Sequence, residues 1–302
     1  MRQINCGLIG LGNFGKHYFR LLKKTGGAEL CVVASRTESS FLPYKEQLAG
    51  TKTTIDTEDI YNDPKVDAVF IVTPASTHFD LIKKALASGK HVFVEKPMVL
   101  DLSDAKRVKE VVEKTKKKFM VGYQYVFNDN VNYLKKEIEK GTFGKIISVT
   151  NEHAVSPPSQ DIDIFWDVAP HSLSVLKYIF NPGKVVGSEG KINHDDASVK
   201  ISFENSPQLE INALSFGDKK IRKLTFIGEK GTAVLDETLE KNKLSITVGG
   251  KTAQPEIDVV EPLQREIEHF IHCIQTAETP LTDVNFGSQI TEWLETISKK
   301  LG

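Results

Sequence analysis

Cysteine is scarce: Cys6, Cys31 and Cys273 stand far apart in 302 residues. An odd count at such spacing excludes a disulfide framework and a zinc site, and no metal is expected. Each cysteine lies in an apolar stretch, so buried free thiols are expected. Long apolar runs are missing too, and no segment approaches membrane-spanning length. There is no excess of one charge, because 39 Lys+Arg against 40 Asp+Glu leave a net charge of -1. That argues against a nucleic acid or a membrane surface as the main partner and leaves a small molecule as the expected ligand. Internal repeats, low-complexity tracts and long linkers are absent. Met1-Arg2-Gln3-Ile4-Asn5 runs straight into a strand pattern with no signal-peptide core, so a cytoplasmic location is expected.

Apolar residues make up 40% of the chain, enough for sizeable cores, and the length suggests about two domains. Up to Gly122, short apolar runs alternate with helical patterns. Strands are predicted at Ile4–Ile9, Leu30–Ser35, Ala68–Thr73, His91–Glu95 and Phe119–Gly122, with helices at Phe14–Lys24, Phe79–Ser88 and Ser103–Lys116. This alternation predicts a parallel sheet covered on both faces, an α/β Rossmann domain over residues 1–122. Residues 123–302 read as an α+β domain with a largely antiparallel open sheet. Its predicted helices are Asn130–Lys140, Ala169–Phe180, Leu263–Gln275 and Val284–Lys300, and its strands are Lys145–His153 and short segments between Lys184 and Val248. The short strands are separated by turn residues such as Asn205-Ser206-Pro207 and Phe216-Gly217-Asp218. The last helix is free to pack back on the first domain.

Gly10-Leu11-Gly12-Asn13-Phe14-Gly15 follows the first predicted strand and opens a helix. The pattern alone is weak, and an ordinary strand-to-helix turn competes with it. In this context it reads as a dinucleotide turn. Gly10 permits the bend, Gly12 lets backbone approach the pyrophosphate, and Gly15 allows close helix packing. At the end of the second strand an NAD site usually carries an acid, about 20 residues past the glycines. Here Ser35-Arg36-Thr37 stand instead. A guanidinium suits a 2′-phosphate, so NADP(H) is favoured and NAD(H) remains possible. The competing reading of Arg36 is a solvated surface arginine.

Parallel sheets bind ligands at the carboxyl ends of their strands. Two further strand ends carry unusual residues, Thr73-Pro74-Ala75-Ser76-Thr77-His78 and Glu95-Lys96-Pro97. Thr73, Pro74, His78, Glu95 and Lys96 therefore join the glycine turn as cofactor-binding candidates. A residue before proline is held extended, and that bond is a candidate for cis, which would aim Lys96 at the ligand. Tyr123, Gln124, Tyr125 and Asn128, just past the last Rossmann strand, are expected to line the substrate side. Further on, Asp167 and His171 are four apart and share one helix face. With Pro170 in a first turn, His171 would sit near a helix N-terminus, which disfavours its charged form and suits a base. Asp167 as an N-cap and His171 as a surface residue are the plainer readings. Trp166 is a candidate for stacking on a sugar, with a core role about as good.

Together the Gly10–Gly15 turn, Thr73-Pro74 with His78, Glu95-Lys96-Pro97 and Asp167-x-x-x-His171 resemble the Gfo/Idh/MocA family, the glucose–fructose oxidoreductase and inositol dehydrogenase group. The resemblance implies a hydride transfer between a nicotinamide cofactor and a sugar or cyclitol alcohol. It implies that Lys96 and His171 are catalytic with Asp167 in support, that Pro97 follows a cis bond, and that the second-domain sheet forms homodimers or homotetramers. The chain departs from the family pattern in Ala75, where Asn is common, and in Ser172 and Ser174, where an acid is common. The substrate therefore cannot be copied from inositol or glucose dehydrogenases, and the stretch Trp166–His171 is most similar to members acting on nucleotide-linked sugars. A non-catalytic dinucleotide-binding sensor, a redox-neutral glycosidase that retains NAD, and a reductase of dicarbonyl compounds stay open as other readings.

Overall fold

The computed structural model describes residues 2–155, 161–215 and 220–301. The expected turn at Phe216-Gly217-Asp218 lies outside them. The chain forms two compact units, Met1–Tyr123 with Leu263–Thr291, and Gln124–Pro262 with Glu292–Gly302.

The first unit holds six strands, β1 (Ile4–Ile9), β2 (Ala28–Ala34), β3 (Lys52–Thr54), β4 (Ala68–Ile71), β5 (His91–Glu95) and β6 (Phe119–Gly122). They pair in parallel in the order β3-β2-β1-β4-β5-β6. Every residue of β4 and of β6 is buried, as strands covered on both faces require. The helices between the strands are α1 (Gly15–Leu22), α2 (Glu58–Tyr61), α3 (His78–Ala87) and α4 (Leu102–Thr115). Asp101 caps α4 by accepting from the Asp104 amide at 2.8 Å.

The same unit takes up α7 (Pro262–Thr276) from Leu263 onward, together with the start of α8 (Val284–Leu301). More of the C-terminal region returns than the last helix alone. Phe270 of α7 packs edge-on against Phe70 and Phe93, at 5.5 and 5.7 Å between ring centroids. The exposed edge of β6 is closed by the chain near Thr282, whose carbonyl accepts from Val121 N–H at 2.9 Å and whose hydroxyl donates to Val121 O at 2.7 Å.

The second unit contains α5 (Asp129–Glu139), α6 (Ile164–Phe180) and eight strands. These are β7 (Ile146–Val155), β8 (Val185–Ile192), β9 (Asp196–Phe203), β10 (Gln208–Ser215), β11 (Ile221–Gly228), β12 (Gly231–Asp236), β13 (Leu244–Val248) and β14 (Lys251–Ala253), in the order β14-β13-β12-β11-β7-β10-β9-β8. Among the described residues only β7 and β10 of this sheet pair in parallel. Inward residues alternate along the strands, as in Val149, Asn151 and His153 of β7. On that face Asn151 donates to the Ser172 hydroxyl of α6 at 3.1 Å.

Helix α6 begins at Ile164, well before the expected Ala169, because Asp163 caps it by accepting from the Trp166 amide at 2.9 Å. Asp163, not Asp167, is the N-cap. Cys6 and Cys273 are buried thiols, whereas Cys31 is only half-buried. No helix among the described residues is long and apolar enough to cross a membrane. No cluster of His, Cys, Asp and Glu among them is arranged to hold a metal.

Candidate functional site

The glycine turn joins β1 to α1. Gly10 has φ of +102°, and a Cβ there would stand 2.2 Å from Val72 O. A Cβ on Gly15 would stand 2.1 Å from Gly10 O. Both glycines are fixed by local packing. Gly12 differs, since a Cβ there would meet nothing within 4 Å. The space above it is open, and Asn13 and Phe14 beside it are exposed. Helix α1 has no side-chain cap and no acid in its first turn. Its N-terminal amides and dipole are thus unopposed by protein charge, which is what a pyrophosphate needs. This part of the chain fits a bound dinucleotide.

At the end of β2 the Ser35 amide donates to Thr54 O at 3.1 Å, which sets the turn. Arg36 is exposed, with no ion pair or hydrogen bond among the described residues, not even to the neighbouring Glu38. The Thr37 hydroxyl lies 3.0 Å from those of Ser39 and Ser40. A free guanidinium beside a group of hydroxyls, with no acid at the strand end, has the chemistry to hold a phosphate.

Thr73 is half-buried at the end of β4, and its hydroxyl lies 2.7 Å from that of Thr77. His78 and Glu95 depart from expectation. His78 is 1% exposed, with Nδ1 2.9 Å from Pro97 O and Nε2 3.0 Å from Thr73 O. It braces two strand ends and leaves no surface for a cofactor. Glu95, 8% exposed, turns inward and accepts from the Tyr18 hydroxyl and the Lys96 amide. The Lys96–Pro97 bond is cis, and Lys96 is half-buried. A hollow of about 700 Å³ lies elsewhere in this unit, between α1 and the segment reaching Ala49. Lys16, Arg20 and Tyr44 line it, and none of the strand-end residues does.

In the second unit, His171 is half-buried in α6. Its ring centroid is 5.1 Å from that of Tyr125 and 5.9 Å from that of His153, with the two imidazoles tilted by only 7°. Asp167 precedes it by one turn on the same face. His171 is the eighth residue of α6, so the helix terminus is too far away for its dipole to act on the ring, against the expectation from Pro170. Gln124, Tyr125, Asn128, Arg222, Glu237 and Pro262 enclose a hollow of about 90 Å³. Asn128 frames it without offering a free amide. Its oxygen caps α5 through the Asn130 amide at 2.9 Å, and its nitrogen donates to Glu237 at 2.7 Å. Burial pushes the Tyr125 hydroxyl pKa far up.

Two expected substrate contacts belong to the core instead. Tyr123 is 1% exposed and packs on Phe286 at 5.5 Å. Trp166 is 8% exposed, and its indole donates to Ser298 at 3.1 Å. Sequence reasoning missed His153 and Arg222. They are register partners across β7 and β11, and only that pairing brings them to the His171 side of the sheet. The inward alternation Val149, Asn151, His153 was the available signal for the first.

Residues 4–123 match the model of an oxidoreductase family with an NAD-binding Rossmann fold. The chain is 25% identical over 317 residues to scyllo-inositol 2-dehydrogenase (NAD(+)) of Bacillus subtilis, covering 94% of this chain and 90% of that one. It is 31% identical over 207 residues to myo-inositol 2-dehydrogenase of Thermotoga maritima, covering 67% and 60%. A 3-ketoreductase from Actinomadura kijaniata, solved with TDP-benzene and NADP, superposes with a TM-score of 0.88 at 16% identity, covering 98% of this chain and 97% of that one. That last likeness bears on the fold alone.

Proposed function

Because the chain belongs to the Gfo/Idh/MocA oxidoreductase family, we propose that it is an NAD(P)-dependent dehydrogenase acting reversibly on a secondary alcohol of a sugar or cyclitol. The observation that carries the reading is the open space at Gly12 above the uncapped N-terminus of α1, in the unit that bears Lys96. Inositol is what the two curated relatives are named for, and it is the first substrate to try. When bound, the nicotinamide supplies the hydride acceptor or donor. The protein's own residues handle the alcohol oxygen and its proton. Lys96 donates a hydrogen bond to that oxygen and offsets the charge that develops on it as its proton leaves. His171 takes the proton as general base. Its Nδ1 is buried, so the proton is assigned to Nε2. Asp167 orients the ring. Gln124, Tyr125 and Arg222 hold the remaining hydroxyls of the substrate.

The test is turnover. Wild-type protein is given NAD(+) or NADP(+) with myo-inositol, scyllo-inositol and common aldoses, and reduced cofactor is followed by absorbance. Accumulation with at least one polyol is expected. Tight cofactor binding without reduction across the panel would instead favour a sensor.

NADP(H) is the proposed preference, supported by the free Arg36 guanidinium and the missing acid. Arg36→Ala is expected to weaken NADPH binding about ten- to hundredfold by calorimetry, the worth of one charge-assisted contact, and to change NADH little. Equal losses for both would sink the 2′-phosphate assignment.

Oligomerisation through the second-unit sheet is supported by apolar side chains exposed on it, Ile147, Leu214, Ile221 and Ile227. A second copy of this chain would cover them, giving a homodimer or homotetramer. Paired Leu214→Glu and Ile227→Glu changes are expected to reduce the mass seen by light scattering to that of one chain. An unchanged mass would rule this face out as the interface.

A further inference from the structure

Behind Lys96 the first unit buries two carboxyl groups around one hydroxyl. Tyr18 of α1 and Glu266 of α7 are fully buried, and Glu95 of β5 is 8% exposed. The Tyr18 hydroxyl donates to Glu95 Oε1 at 2.5 Å and lies 3.5 Å from Glu266 Oε2. The other Glu95 oxygen accepts from the Lys96 amide at 2.9 Å. A tyrosine hydroxyl has one proton. Spent on Glu95, it leaves an oxygen lone pair facing Glu266. An ionised Glu266 would then confront that lone pair and the Glu95 charge in a buried, low-dielectric interior, which is strongly unfavourable. A protonated Glu266 resolves the conflict by donating to the Tyr18 oxygen.

We propose that Glu266 is held as the neutral acid, and that with Tyr18 it acts as a positioning residue for Lys96. The chain of contacts runs from Glu266 to the Tyr18 oxygen, from the Tyr18 proton to Glu95, and from Glu95 to the peptide that carries Lys96. The groups facing Glu266 are Tyr18, the Glu95 carboxylate and the Tyr123 amide, and none of these is a cation. The Glu95 charge opposes its ionisation, while hydrogen bonds from Tyr18 and the Tyr123 amide favour ionisation but are outweighed by burial and Glu95. Burial first, and the Glu95 charge second, push the Glu266 carboxyl well above the usual carboxylate range. Burial and the two carboxyl groups likewise push the Tyr18 hydroxyl well above its usual value, so it keeps its proton. A neutral carboxylic acid is distinguishable from a carboxylate by spectroscopy. The link to Lys96 rests on the dehydrogenase reading above. The protonation of Glu266 does not.

Infrared spectroscopy of the folded protein at mildly alkaline pH tests the protonation without any turnover. A protonated-carboxyl C=O stretch is expected in the wild type and in Lys96→Ala, and its loss in Glu266→Gln. No such band in the wild type, or a band that survives Glu266→Gln, would overturn the proposal. The positioning role is read on the polyol identified by the panel. Tyr18→Phe is expected to lower kcat about tenfold with the KM for cofactor unmoved, as small misplacements of a catalytic group do. Glu266→Gln, which keeps a neutral donor, is expected to retain more kcat than Glu266→Ala. An unaltered kcat in Tyr18→Phe, or equal losses in the two Glu266 variants, would remove the positioning role. Absent wild-type turnover would count against the dehydrogenase reading alone.

Discussion

Replacing Lys96 by alanine is expected to lower kcat about 10²- to 10³-fold while changing cofactor affinity by less than about twofold. The magnitude is that of one preorganised donor aimed at a developing oxyanion, roughly 2.7–4 kcal/mol. The selectivity follows from where Lys96 stands. It is at the end of β5, while the turn suited to the pyrophosphate is at the end of β1. Losing its ammonium leaves the glycine packing and the uncapped terminus of α1 as they were. Lys96→Arg is not expected to restore the rate, because a guanidinium is broader and its donors are fixed in a fork. Steady-state kinetics with a calorimetric titration of cofactor separates the two effects. A near-normal kcat in Lys96→Ala would refute the role.

Replacing His171 by alanine is expected to cost about 10²- to 10⁴-fold in kcat for alcohol oxidation, the usual worth of a positioned general base. With the base gone, the residual rate should climb with pH, since solvent hydroxide must take the proton. A flat residual profile, or a loss confined to KM, would show that His171 only holds substrate. Asp167→Asn keeps the shape of the side chain, one helical turn from His171, and removes its charge. A smaller loss, about tenfold, is expected, with the pH profile of the remaining activity displaced.

The features legible in the sequence are those governed by local rules. Gly10 and Gly15 declare themselves because a tight strand-to-helix turn has no room for a Cβ there, and Gly12 because the proposed phosphate site needs open backbone. Arg36 and Lys96 follow from one regularity, that parallel strands present their carboxyl ends to ligands. Side-chain direction at those ends was not legible. His78 follows the exposed Thr77 and Glu95 precedes the half-buried Lys96, yet both turn inward, His78 onto two backbone carbonyls and Glu95 onto Tyr18. Pro170 misled the reading of α6, because it stands inside the helix while Asp163 makes the cap. Tyr123 and Trp166 looked like ligand contacts from their place in the chain. Their partners Phe286 and Ser298 are remote in sequence, and only folding brings them together. The same holds for Arg222 and Glu266, which no motif announced. The return of α7 to the first unit was hidden for a related reason. An amphipathic helix shows that it needs a core, and its sequence does not say which one.

On the proposed function, the Gly10–Gly15 turn would hold the nicotinamide cofactor, which would supply the acceptor for a hydride from a polyol carbon. The most direct measurement gives the protein a polyol deuterated at its carbinol carbons, together with NADP(+) or NAD(+), and weighs the recovered cofactor. Deuterium in the reduced nicotinamide with wild-type protein, and its absence with Lys96→Ala, is the expected result. A cofactor that binds tightly and is recovered unlabelled and unreduced by the wild type, with every polyol tried, would contradict the account.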